Sequence, residues 1–332
     1  MSKMTPLVPL IKSQYAIAFI DMLKQIDDDI YPTIAKAQLP ESISNIEHDY
    51  VPQLPLINLL NIIGEKAGPD KYSQLIWQAC RQVFIPSYID KIKHAKTLGQ
   101  ALNEFCVFFN RESTHSTVKL RHLFGRHWFV REHRFGKELL ADFREHFILT
   151  FMIELVRGLT QRQWSPKEIA LTIDSTGKLE KNLLINNSQF YLNRSVTGIS
   201  LSSKELAQPI KLKLGWHETQ TEQPLKPTLF ADSLKHALKP YLGLGRLSIE
   251  SAASILGIQV RTLQRRLKVE NASYSNIVEN ILFSQASEMM TDRNIPISRI
   301  ASSLGYSDLP HFSRAFKRIT GLSPRAYRRQ HS

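Results

Sequence analysis

The 332-residue sequence predicts an α+β N-terminal domain followed by an all-α C-terminal domain with two helix-turn-helix subdomains joined by a connecting helix. Three observations carry that reading. One two-helix pattern occurs twice near the C-terminus. The apolar period changes from 3.6 to 2 in the first two thirds of the chain. The net charge of +13 is unevenly placed.

Tyr15, Phe19, Met22 and Ile26 recur three and four apart, so residues 13–26 are expected to form an amphipathic helix. Pro52 and Pro55 precede a helical run over Leu56–Ile63, and the loop Gly68-Pro69-Asp70 can cap another over Lys71–Val83. Thr97-Leu98-Gly99 opens a further helix with Ala101, Leu102, Phe105, Cys106 and Phe109 on one face, a packing stripe. The period then falls to 2. Val118, Leu120, His122 and Phe124 alternate with Lys119, Arg121 and Leu123, and after Gly125-Arg126 the run His127–Arg131 resumes, which is a β-hairpin.

Beyond Gly136 a long helix is expected over Lys137–Leu159. Strand-like runs follow at Glu168–Ile173, Leu183–Ile185, Gln189–Leu192 and Gly198–Leu201, with a short helix over Ser203–Leu206. Helices first and strands later imply an α+β domain rather than a parallel sheet. Residues 217–228, HETQTEQPLKPT, are polar with two prolines and read as a linker. The expected domains are therefore 1–216 and 229–332.

The second domain opens with a helix over Phe230–Leu242. Ile249–Ile258 (IESAASILGI) and Ile297–Tyr306 (ISRIASSLGY) share Ile, Ala, Ser, Leu and Gly at an offset of forty-eight residues. After one inserted residue, Leu263, Arg265, Leu267 and Lys268 correspond to Phe312, Arg314, Phe316 and Lys317. The helix-turn-helix units span 248–268 and 296–318, and Ser275–Met290 forms a rigid helix between them. Gly305 can take the left-handed conformation that stops a helix, Asp308 can cap the next, and Pro310 suits a first turn.

Each unit offers a basic face opposite its apolar stripe. Candidate DNA contacts are Arg261, Thr262, Gln264, Arg265 and Lys268 from the first, with His311, Arg314, Lys317 and Arg318 from the second. Arginine matches guanine and glutamine matches adenine bidentately. Residues 226–332 carry 16 Lys and Arg against 7 Asp and Glu, while the first 225 residues carry 27 against 23. Such a basic domain is expected to track phosphates.

Ile300-Ala301, Leu304-Gly305-Tyr306, Asp308, Phe312 through Arg318, Gly321, Ser323-Pro324 and Tyr327-Arg328 together resemble the signature of the AraC/XylS family of bacterial transcription regulators. Two positions depart from it. Asn271 stands where the family usually has Gly in the turn after the first recognition helix, and Leu282 stands where it usually has Arg on the connecting helix. The landmarks TLGQAL, the hairpin, QWSP and LSSKELAQPI resemble the effector-sensing N-terminal domain, of the arabinose-binding-like type, of one branch of that family.

The resemblance implies a cytoplasmic regulator, an activator of double-stranded promoter DNA acting through RNA polymerase. Its N-terminal domain would bind a small-molecule effector and could form a homodimer. A repressor, a protein-interaction module without ligand, and an architectural DNA binder are the open alternatives. Lys119 and Arg121 are the candidate effector contacts, since arginine binds carboxylate bidentately.

Other chemistries find little footing. No Gly-rich phosphate loop or nucleophile motif is present, so an enzyme is not expected, nor a cofactor. His122, His127, His133 and His146 crowd Arg121, Arg126, Arg131 and Arg134 without helical ligand spacing, which reads as solvated surface rather than a metal site. Cys80 and Cys106 are expected as buried free thiols. The apolar run Phe147–Leu155 contains Glu154 and is too short to span a bilayer.

Overall fold

The structure, a computed structural model, describes residues 7–40, 43, 50–112, 116–123, 125–133, 142–176, 185, 187–211, 227–244 and 247–331. In chain order the first elements are β1 (Leu10–Lys12), α1 (Ser13–Leu23), α2 (Tyr31–Lys36), β2 (Tyr50–Pro52) and α3 (Gln53–Ala79). A π turn, Cys80–Phe84, leads into α4 (Ile85–Ile89) and α5 (Leu98–Glu112). Next come β3 (Ser116–Leu123), β4 (Arg126–His133), α6 (Asp142–Thr160), β5 (Glu168–Ala170), β6 (Gln189–Tyr191), β7 (Val196–Leu201) and α7 (Ser203–Leu206). The remainder is helical: α8 (Phe230–Leu238), α9 (Ile249–Leu256), α10 (Val260–Val269), α11 (Tyr274–Met290), α12 (Ile297–Ser303), α13 (Leu309–Thr320) and α14 (Pro324–His331).

Two compact units result. One gathers Gln14–Leu39 and Pro55–Lys226, and the other gathers Met1–Ser13, Pro40–Leu54 and Pro227–Ser332. The expected domain limits follow chain order, whereas these units do not.

The first unit is built on a five-stranded sheet in the order β3-β4-β7-β5-β6. The hairpin pairs Ser116 with His133 through Leu123 with Arg126, as the period-2 pattern predicts. The sheet is not wholly antiparallel: β5 and β6 run parallel, Glu168 opposite Gln189. Val118, Phe129, Ile169 and Ile199 are buried on its inner face. The Phe105 ring of α5 meets Phe129 at 5.9 Å and Phe151 of α6 at 5.8 Å, so two helices cover that face. Full burial of a phenylalanine contributes about 1.5–3 kcal/mol, and this aromatic layer holds the unit together.

Several elements differ in extent from expectation. The runs at 56–63 and 71–83 are the two helices expected, meeting within α3 at the non-helical Gly68 (φ 71°, ψ 166°) before Pro69, and the second continues past Ala79 into the π turn. The strand expected over Glu168–Ile173 keeps only its first three residues: Leu171 still donates its N–H to the Tyr191 carbonyl, and the chain bends over residues 172–174. Phe124, Lys137–Ala141, Leu183-Leu184 and residues 217–226 of the expected linker lie outside the described residues.

In the second unit β1 and β2 form a short antiparallel ribbon, Leu10 opposite Pro52. It lies against α8, and the Val8 N–H donates to the buried Ser233 Oγ at 2.9 Å. The Glu270 carboxylate, just beyond α10, accepts the N–H groups of Phe230 and Ala231, both at 2.8 Å. A carboxylate at the positive end of α8 satisfies donors that helix geometry leaves unpaired.

Candidate nucleic-acid interface

Each helix-turn-helix is fixed by a start and a stop. Ser248 Oγ accepts the Ser251 N–H at 3.1 Å and caps α9, which ends at Gly257 with φ 64°. In the second unit the turn passes through Gly305 at φ 74°, and Asp308 Oδ1 accepts the His311 N–H at 2.6 Å to start α13. That hydrogen bond holds the Asp308 carboxyl below its usual range. Pro310 occupies the first turn as expected.

Leu263 and Leu267 bury one face of α10, and Phe312, Ala315 and Phe316 bury the matching face of α13. The opposite faces are exposed. Arg261, Gln264, Arg265 and Lys268 project from α10, and His311, Arg314, Lys317 and Arg318 from α13, with Thr262 half-buried. All nine candidate contacts therefore stand on the two second helices of one compact unit.

Residues 252–330 match a helix-turn-helix domain family. The HTH-type transcriptional regulator VqsM of Pseudomonas aeruginosa is 36% identical over 81 residues, 24% of this chain and 25% of its own. The regulator VirS of Mycobacterium tuberculosis is 36% identical over 87 residues, 26% of each chain. The C-terminal domain is of the AraC type. The match spans about a quarter of the length of these curated relatives. The crystal structure of the transcriptional regulator CdpR from Pseudomonas aeruginosa aligns over 95% of this chain and 98% of its own, at 16% identity and a TM-score of 0.37.

Within the AraC-type domain the two departures from the family pattern are accommodated locally. Asn271 adopts φ 52°, the left-handed conformation that asparagine tolerates. Leu282 is buried on α11, and one turn earlier Arg318 Nη2 of α13 meets Glu279 Oε1 of α11 at 2.5 Å. Phe283, Phe316 and Tyr327 add an aromatic cluster with centroids 5.2–5.9 Å apart. The first recognition helix has its own anchor: the Arg266 guanidinium lies 5.3 Å over the Phe230 ring of α8. Sequence reasoning missed Arg266, Glu270 and Glu279, because their partners lie up to 40 residues away with no periodic spacing.

The other unit carries the candidate effector residues. Lys119 and Arg121 stand on the outer face of the hairpin, and both converge on Glu132, with Lys119 Nζ 3.0 Å from Glu132 Oε2 and Arg121 on the other oxygen. The Lys119 hydrogen bond, helped by the Arg121 charge, holds the Glu132 carboxyl below its usual range. These cations stabilise the hairpin and do not line the cleft described below.

The histidine group separates. His122 and His127 face each other across the hairpin with ring centroids 4.7 Å apart. His146 is not solvated surface: it is fully buried in α6 with Nε2 3.2 Å from Ser73 Oγ, and burial pushes its pKa down to about 4. Arg131 also turns inward, over the Phe109 ring at 5.8 Å and toward Ser116 Oγ at 3.3 Å. Among the described residues no group of His, Cys, Asp and Glu could hold a metal ion, and no helix is long and apolar enough to cross a membrane. Cys80 and Cys106 are buried free thiols, and burial pushes the Cys106 pKa up to about 12.

A cleft of about 740 Å³ opens between α3, α4 and the C-terminal end of α6. Trp77, Ile85, Pro86 and Ile89 give it an apolar wall, and Arg81, Glu154, Arg157 and Arg162 give it charge.

Proposed function

We propose that the chain is a sequence-specific DNA-binding transcription regulator, an activator working through RNA polymerase, whose sheet-bearing unit holds a small-molecule effector. The observation that carries this reading is the pair of helices α10 and α13, each with an apolar face buried and a basic face exposed within one unit. A basic surface alone binds any duplex through phosphates. Two recognition helices joined by a packed α11 instead suit base edges in successive major grooves, roughly 34 Å apart on straight DNA. The relatives VqsM and VirS bear the name of transcriptional regulators, which supports the same reading. The cleft has a metabolite's dimensions and supports the effector.

In this reading the protein works in the cytoplasm as a homodimer on promoter DNA and performs no catalysis. The effector acts only if it binds one arrangement of the protein more tightly than another. Footprinting of the full-length chain, followed by reporter transcription from the protected promoter with and without metabolites, tests the proposal. Protection confined to defined repeats and a metabolite-dependent rise in transcription are expected. Protection spread along any duplex would replace the regulator with an architectural binder, and a fall in transcription would make it a repressor.

A further inference from the structure

We propose that the cleft between α3, α4 and α6 is the effector's seat, and that it takes an organic anion. Its carboxylate would lie against Arg81 and Arg162, and its apolar body along Ile85, Pro86, Ile89 and the Trp77 edge. This rests on the effector reading above and adds the location and the chemistry.

The charges in the cleft are not equivalent. Glu154 is buried, with Oε1 accepting from Arg157 Nη1 at 3.0 Å. Arg157 spends its other nitrogens on the Trp164 carbonyl at 2.6 Å and on Ser165 Oγ at 3.4 Å. That pair is structural. Asp70, at the rim, has a partner of its own. Arg81 is different: its Nε lies 3.8 Å from Glu154 Oε2, too far to donate a hydrogen bond, and its guanidinium stacks 4.8 Å over the Trp77 ring.

Arg81 and Arg162 make no hydrogen bond to any described residue, and the Arg81 side chain is 55% exposed. The cleft therefore offers two guanidinium forks with unspent donors, one of them already oriented by stacking and by a buried carboxylate. Forks of this kind match carboxylate geometry. No unspent carboxylate competes for a cationic ligand, because Glu154 is held by Arg157.

The backbone around the cleft is irregular where these groups sit. The π turn Cys80–Phe84 sends Phe84 into the core and leaves Arg81 outside. Gln161, which ends α6 on the cleft lip, is a non-glycine residue at φ 52° with Nε2 donating to the Gly158 carbonyl at 2.6 Å. π turns and left-handed non-glycine residues both carry an energetic cost and concentrate at functional sites. The volume lies within the range of small-molecule sites, roughly 300–1,000 Å³.

The test uses the full-length chain and two acid–amide pairs, octanoate with octanamide and benzoate with benzamide, titrated by calorimetry. The acids are expected to bind and the amides to bind at least about tenfold more weakly. Arg81→Gln and Arg162→Gln should each weaken acid binding by about tenfold or more, with unchanged affinity for DNA as the control for folding. Equal binding of acid and amide, no binding by any of the four, or acid affinity unchanged in both variants would overturn the proposal.

Native mass spectrometry of the chain purified from its own source separates this proposal from the reading beneath it. A co-purifying small molecule lost in the Arg81→Gln/Arg162→Gln chain supports both. One retained undiminished overturns the cleft as its seat while leaving an effector in place. Acids that bind the cleft without any change in reporter transcription keep the site and overturn the effector reading.

Discussion

Gly257 and Gly321 both end helices in the left-handed conformation, at φ 64° and 77°, but they differ in what surrounds them. A Cβ added at Gly321 meets nothing within 4 Å, whereas one at Gly257 would lie 2.7 Å from Leu54 Cδ2. An alanine in this conformation costs roughly 1–2 kcal/mol, partly offset by the loss of glycine's freedom in the unfolded chain. Gly321→Ala should therefore cost about 1 kcal/mol. Gly257→Ala carries the same strain plus displacement of Leu54, for a total of about 2–3 kcal/mol.

Leu54→Ala should remove the second part, giving a favourable coupling of about 1 kcal/mol in the double mutant. Hydrogen exchange of the α9 and α10 amides, with the α13 amides for Gly321→Ala, reads these costs locally. Equal costs at the two glycines, with no coupling to Leu54, would mean that residues 50–54 are not seated on the first helix-turn-helix. The discontinuous unit would then be wrong.

Three further outcomes are expected. The buried His146, near 4 in the fold against about 6.5 unfolded, makes the unfolded chain the better proton acceptor, so stability is present above pH 6.5 and is lost as pH falls toward 4. The loss is roughly 3 kcal/mol, and an imidazole NMR titration giving a pKa of about 6 or higher would refute it. Glu270→Ala removes the acceptor for two N–H groups at the start of α8 and should destabilise the DNA-binding unit by about 2 kcal/mol; unchanged exchange of the Phe230 and Ala231 amides would refute that. Arg265→Ala or Arg314→Ala should weaken specific DNA binding by about 1–3 kcal/mol, measured by titration of the footprinted site, and unchanged affinity in both would remove them from the interface.

The tandem helices were legible because their signals are local. Ile249, Ala252, Ala253 and Leu256 repeat at helical spacing, Gly257 stops the helix, and the same word recurs at Ile297. The β3–β4 hairpin was legible for the same reason, since alternation and Gly125 lie within one short stretch. Long-range pairings leave no such trace. The β1–β2 ribbon joins two three-residue strands 40 positions apart, and nothing in LIK or YVP announces its partner. The parallel β5–β6 pair is equally short. The cleft draws Trp77, Arg81 and Arg157 from different elements, each of which reads as an ordinary helix surface when taken alone. His146 follows Arg144 and Glu145 in sequence, and all three are buried, which apolar periodicity cannot anticipate.

The two recognition helices divide their cations in the same way at different positions. Arg265 and Arg314 occupy equivalent places in the repeat and are exposed, as are Lys268 and Lys317. The anchors are not equivalent: Arg266 on Phe230 aligns with Ala315, and Arg318 on Glu279 aligns with Val269. Each helix thus keeps free cations and ties one arginine to a neighbouring helix, α8 or α11. A free lysine that meets a phosphate releases a counterion, so Lys268→Ala or Lys317→Ala should lower the salt dependence of DNA binding by about one unit of slope. Arg318, paired with Glu279, would orient α13 instead. Arg318→Ala should therefore weaken specific binding while leaving the salt slope nearly unchanged, and Glu279→Gln should reproduce the loss of orientation while freeing a cation. A full unit lost from the slope in Arg318→Ala would make Arg318 a phosphate contact and the ion pair incidental.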